Sequence, residues 1–171
     1  MASFGERMVR AAKCDVAVYE EIEADAGATG QAVAVVVLSS VAAGLAVGGG
    51  VGGLVVGTLA SLLGWALWAY LIYWIGARWL AEPETNADWG QLLRTVGFAN
   101  TPGIIRILGL IPGLRGITFF VAAVWMLVTT VIAVRQALDY RSTGRAIGVC
   151  LIGWLIQVVL FVIIRTLARH P

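Results

Sequence analysis

The chain reads as all-α: a polytopic transmembrane helical bundle of five spans, the third broken or re-entrant, preceded by amphipathic helices at the membrane surface. Three observations predict this. Residues 26–77 form a run of fifty-two with no charged side chain. Residues 116–134 and 146–164 are two further uncharged runs, of nineteen residues each, bounded by arginines. Only 13% of the chain is charged and 60% is hydrophobic, against about 25% charged in a typical soluble domain. A helix rises about 1.5 Å per residue and a bilayer core is roughly 30 Å thick, so the long run crosses twice and each short run once.

Residues 1–28 form the surface segment. Ser3 and Glu6 have the spacing of a capping box, and Phe4, Met8 and Ala12 then share one helical face away from Arg7, Arg10 and Lys13. Asp15 caps a second short helix with Val16, Tyr19 and Ile22 on one side and Glu20, Glu21 and Glu23 on the other. Such helices lie on a membrane surface or dock as a soluble segment. The acids in this region leave no apolar stretch after a basic start, so no cleavable signal is expected and the first span inserts the chain.

The membrane region is residues 29–171. The first span is expected at about 29–47, with Thr29 as cap, and the second at about 52–78. Gly48 to Gly53 mark the bend. Gly44 and Gly48 on the first span, and Gly49, Gly53 and Gly57 on the second, recur every four residues. That spacing lets helix backbones approach closely, within a tight hairpin or between two copies. Aromatic residues from Trp65 to Trp79 end the second span, and those nearest Arg78 suit an interfacial belt.

A polar loop with Glu82, Glu84 and Asp88 follows, and Asp88 with Gln91 fits a second capping box. The third span, about 91–112, is irregular. Pro102 removes a backbone donor and disfavours helix at Thr101. Non-helical backbone at membrane depth survives only inside protein. The last spans are expected at about 116–135 and 145–165.

Orientation follows from basic residues. With five spans, one side holds eight (Arg7, Arg10, Lys13, Arg78, Arg94, Arg135, Arg141 and Arg145) and the other three (Arg115, Arg165 and Arg169). With a re-entrant third segment the division is nine to three. Both place the N-terminus in the cytoplasm.

Arg106 is the costliest residue, since a mid-membrane arginine is worth roughly 2.5–3.5 kcal/mol on insertion scales and needs a partner or water. Asn100, Thr101 and Gln157 are the polar candidates near it, beside Pro102. The group makes either a polar cavity for an ion, lipid headgroup or small solute, or an interfacial anchor for a tilted helix. Gln157 also suits an interhelical hydrogen bond. No catalytic constellation is present: Ser39, Ser40 and Ser61 have no neighbouring histidine or lysine in sequence. The one histidine is His170, so no intramembrane haem ligand is expected, and no cofactor. Cys14 and Cys150 have no metal or redox spacing, and no disulfide is expected. A net charge of +2 and the lack of a phosphate loop or basic patch point away from nucleic acid.

Several segments resemble one family. Val18-Tyr19-Glu20-Glu21-Ile22-Glu23-Ala24-Asp25, with Thr29-Gly30-Gln31-Ala32, is similar to the run before the first span in small bacterial members of the Yip domain family. Leu92-Leu93-Arg94-Thr95-Val96-Gly97-Phe98-Ala99 before Pro102 resembles the family's central motif. Trp125 and Ser142-Thr143-Gly144-Arg145-Ala146 also fit. The resemblance implies five spans, a cytoplasmic N-terminus and residence in the bacterial cytoplasmic membrane. Eukaryotic relatives bind Rab-type GTPases in vesicle traffic and carry a long cytoplasmic N-terminal region that does not precede the first span here. The expected function is a non-enzymatic scaffold, membrane-organising or accessory subunit that meets the bilayer, other membrane proteins or further copies of itself. The alternative is a small transporter or channel with a polar path near Pro102, Arg106 and Gln157.

Overall fold

The computed structural model describes residues 2–167, which form seven α-helices joined by turns and 3₁₀ segments. Helices α1 (Phe4–Ala12) and α2 (Val16–Ala24) make a short hairpin. Ser3 accepts from the Glu6 amide at 3.3 Å, the first half of the expected box, and Asp15 caps α2 by accepting from Ala17 N–H at 3.0 Å. Cys14, at φ +63°, makes the turn between them. Asp25 then caps a single 3₁₀ turn, Ala26–Ala28, that runs into α3 (Thr29–Val47). Thr29 is therefore a first-turn residue and not the cap; its hydroxyl donates back to Ala26 C=O at 3.1 Å.

α3 ends at Gly48 in the left-handed region, φ +79°, and Gly50 is also left-handed at +64°. These two glycines are where the backbone requires one. They reverse the chain into α4 (Gly50–Tyr73), which continues as a π-helical turn, Trp74–Trp79. α5 (Trp89–Phe98) begins with both halves of a capping box, Gln91 N–H to Asp88 at 2.9 Å and Asp88 N–H to Gln91 at 2.6 Å. A 3₁₀ segment, Thr101–Leu110, follows it, then α6 (Arg115–Ala137) and α7 (Thr143–Leu167).

The direction of the broken segment is visible from three glycines. A Cβ on Gly97 would lie 2.6 Å from the Ala32 Cβ, Gly103 sits against Ser39 and Met126, and Gly109 against Ala46 and Thr118. The residue numbers on α3 rise with those on the segment while those on α6 fall. Residues 97–109 thus travel alongside α3 and antiparallel to α6 without doubling back. Among the described residues, three helical stretches, Ala26–Val47, Gly50–Trp79 and Arg115–Ala137, are long and apolar enough to cross a membrane. The outward faces of α4, α6 and α7 carry exposed Val55, Leu59, Leu63, Phe120, Leu127 and Leu155, as expected of a helical bundle with lipid as solvent.

The N-terminal hairpin packs on the bundle rather than standing apart from it. Val18, Tyr19 and Ile22 are wholly buried, while Val16, expected on the same face, is 43% exposed. Phe4 meets Phe98 edge-on at 6.2 Å between ring centres. Trp125 on α6 donates its indole N–H to Ala12 C=O at 2.7 Å.

Candidate functional site

A cavity of about 640 Å³ lies between α3, α4, the 3₁₀ segment, α6 and α7. One wall is the cap residue Gly49 and a face of α4, Gly53, Gly57, Ser61 and Gly64, residues whose spacing keeps them on one side of a helix. A Cβ added at Gly53, Gly57 or Gly64 would meet nothing within 4 Å. The close helix approach expected from the glycine spacing occurs at Gly44 alone, where a Cβ would come within 2.6 Å of Leu54. Gly48 serves the turn. The rest of the stripe leaves space: the missing side chains are the cavity. Ser40 to Thr58, at 3.3 Å, ties α3 to α4 beside it.

Arg106 enters from the 3₁₀ wall, half buried. Its Nε donates to Gly103 C=O at 2.9 Å and its Nη2 to Ser39 Oγ at 2.6 Å. The Phe119 ring lies 5.9 Å from the guanidinium carbon, close enough for cation–π attraction. Nη1 forms no hydrogen bond with a described residue. Among the described residues no carboxylate reaches Arg106, and the placement of the acidic side chains explains why. All ten lie at residues 6–25, 82–88 and 139, at the opposite end from the Gly48 turn. Gly103 is needed here, since any Cβ would collide with the Ser39 hydroxyl and the Arg106 guanidinium.

The polar residues expected beside Arg106 divide into two groups. Asn100, Arg106 and Gln157 line the cavity; Thr101 and Pro102 are buried outside its lining. Asn100 and Thr101 repair the helix break. Pro102 has no N–H for the Phe98 carbonyl four residues back, and the Thr101 hydroxyl supplies the donor at 2.7 Å. The Asn100 backbone turns to Gly97, so its side-chain amide serves Val96 C=O at 2.8 Å. Thr129 on α6 donates to Ala99 C=O at 2.8 Å. The partner that sequence reasoning missed is Ser39. A serine midway along a charge-free span, across from a lone arginine, was the available signal.

The other end of the bundle holds a second arginine arrangement. Arg7, 2% exposed, pairs with Glu21 at 2.9 Å and Asp25 at 2.8 Å and donates to Gln31 at 3.1 Å. Its guanidinium holds both carboxyls below the usual carboxylate range. Arg94 donates to the carbonyls of Ile22 at 3.2 Å and Glu23 at 2.6 Å. That places a cation on the negative end of α2. Glu82 pairs with Arg145 at 2.9 Å, and Glu84 with Arg141. Burial, reinforced by the carboxylates of Asp139 and Glu20, pushes the Glu23 carboxyl up to about 7.

The Yip1 domain matches residues 16–164. The chain belongs to the Yip1 domain family. No curated protein and no solved structure matches it. The Yip1 domain contains the whole cavity wall and Arg106. Arg7 lies before its first matched residue, yet Glu21, Asp25 and Gln31 lie inside it. The ion pairs therefore fasten α1 to the Yip1 domain.

Proposed function

We propose that this Yip1-domain protein is a non-enzymatic scaffold or accessory subunit of a bacterial cytoplasmic membrane, with five crossings and a cytoplasmic N-terminus. The observation that carries the reading is the acid-rich end. Arg7, Arg94, Arg141 and Arg145 tie the N-terminal hairpin and the loops into one surface. A rigid platform above lipid-facing helices suits contact with other membrane proteins or a second copy. The one-way course of residues 97–109 and the excess of basic residues at that end support the crossings and orientation. Energy transfer between two labelled populations in liposomes tests the association. Transfer that an excess of unlabelled protein dilutes is expected. Transfer no higher than for randomly mixed monomers, with a lone monomer in mild detergent, counts against it. Labelling a cysteine placed beside Pro171 from one side tests the crossings, with an outside position expected.

A second reading, a small transporter or channel, draws on the cavity. A further hollow of about 610 Å³, lined by residues 45–48 and 109–113 with Arg115 and Gly116, adjoins it through Val47. Reconstituted flux that Arg106→Ala abolishes in a folded protein would favour this reading. Absence of flux for every solute tried, with Arg106 dry and packed, would remove it.

A further inference from the structure

The cavity has three properties that define what fits it. Its volume, about 640 Å³, lies within the range of about 300–1,000 Å³ typical of small-molecule sites. Its lining is mostly apolar, and its one charged group, Arg106, is held by Ser39. Gly53 and Gly57 are exposed, so α4 leaves that face open to whatever surrounds the bundle. For helices of this composition the surroundings are acyl chains.

Arg106 supplies the charge argument. A lone cation at membrane depth usually reaches out to the interface. Arg106 cannot, because Nε and Nη2 are tied to Gly103 and Ser39. Ser39 is near the middle of α3, with about 15 Å of helix before it and about 12 Å after it. The ten acids all lie at the other end, so no protein carboxylate neutralises it. The counter-charge has to come to the arginine. A guanidinium with a free N–H suits phosphate or carboxylate oxygens. The adjoining hollow with Arg115 gives an anionic headgroup a basic approach from the Gly48 end.

We propose that the cavity binds the phosphate and upper acyl carbons of one anionic phospholipid, the phosphate on Arg106, the acyl carbons along the glycine face of α4 and the chain ends outside in the surrounding lipid. Free phosphate is disfavoured, because it would undergo the same dehydration at Arg106 without the apolar burial that acyl carbons gain along the glycine face. This site goes beyond the scaffold reading: a protein found monomeric would sink that reading and leave lipid binding untouched. The lipid stays in place under the scaffold reading and moves under the transport one, and binding is read in either case.

The test uses the full chain, delipidated in detergent, with the rise in unfolding temperature followed during titration. The probes are short-chain phosphatidylglycerol, phosphatidylcholine with the same chains, and inorganic phosphate. A saturable response to phosphatidylglycerol is expected, with phosphatidylcholine roughly tenfold weaker, because its own choline cation competes with Arg106 for the phosphate and leaves no net charge to neutralise the arginine. Arg106→Gln should reduce the phosphatidylglycerol response to the phosphatidylcholine level. Gly57→Leu should abolish both by filling the cavity. Equal responses to the two lipids, unchanged by Arg106→Gln, would overturn the site in favour of a general lipid coat. Inorganic phosphate matching phosphatidylglycerol would overturn the lipid assignment. If Arg106→Gln fails to fold, Gly57→Leu decides: a phosphatidylglycerol response that survives it overturns placement in the cavity.

Discussion

Arg7 and Arg106 are both taken out of water, and the bundle treats them oppositely. Arg7 is enclosed by two carboxylates and a carboxamide, so its charge is cancelled where it stands. Arg106 has a hydroxyl, a carbonyl and an aromatic face, which satisfy hydrogen bonds but leave a full positive charge. A buried ion pair whose partners remain together acts as a fastening, and removing one member leaves the others exposed to the full desolvation penalty. An uncompensated cation in an open cavity is a binding group.

The largest expected effect tests the fastening. Arg7→Met leaves Asp25 without a cation and Glu21 with Arg10 alone, so stability should fall, though by less than for a fully buried pair because both carboxylates are partly exposed. The hairpin should also loosen, so Cys14, at its turn, should react faster with a thiol reagent. Unfolding in detergent and labelling kinetics both read this. An unchanged unfolding midpoint would show that the ion pairs only decorate a hairpin held by Tyr19 and Ile22.

The matching break on the Arg106 side is Gly103→Ala. The new methyl displaces Ser39 or the guanidinium, for a cost of about 1–3 kcal/mol. Ser39→Ala removes the hydroxyl that collides, so the double variant should lose less than the two singles added together. Strict additivity would mean that Gly103 matters for some contact other than the Arg106–Ser39 pair.

Which of these features could be read from the chain depends on how far apart the partners lie. Helix ends and breaks were legible because their causes are local: Asp88 with Gln91, the glycines at 48 and 50, and Pro102. The glycine stripe was legible as a stripe, and within the hairpin only Gly44 makes a close approach. Periodicity shows that residues share a face, but not whether a helix or a void lies opposite. Arg7 was legible only as a residue off the apolar face of its helix, because its carboxylates are fourteen and eighteen residues away. Ser39, sixty-seven residues from Arg106, needed the tertiary path of the broken segment.

Two glycines on the hairpin separate seam from void directly. Gly44→Leu drives a side chain into Leu54 and should cost about 1–3 kcal/mol. Gly57→Leu meets open space and replaces a poor helix former, so stability should hold or rise by up to about 1 kcal/mol. Unfolding midpoints of the two variants should therefore move apart. A large loss at Gly57 would restore the close-packed seam and remove the cavity.

The smallest effect concerns the acid-rich end, where Glu23 departs from the pattern of its neighbours. Glu21 and Asp25 have lowered carboxyl pKa values, so their contribution is fully present at neutral pH and fades only in acid. Glu23 is raised from 4.5 to about 7 by burial and by Asp139 and Glu20, with Arg94 opposing and Asp88 adding a little. Between those values the folded chain holds more protons than the unfolded one, so stability falls as pH rises from about 4.5 to about 7. With the group partly solvated, the loss should be on the order of 1 kcal/mol. Glu23→Gln cannot ionise and should flatten the unfolding midpoint between pH 5 and pH 8, a range that begins just above the unfolded value and ends about one unit above the folded one. A midpoint that rises across this range in the parent protein would mean that the ion pairs of Arg7 outweigh Glu23 even above the acid limb.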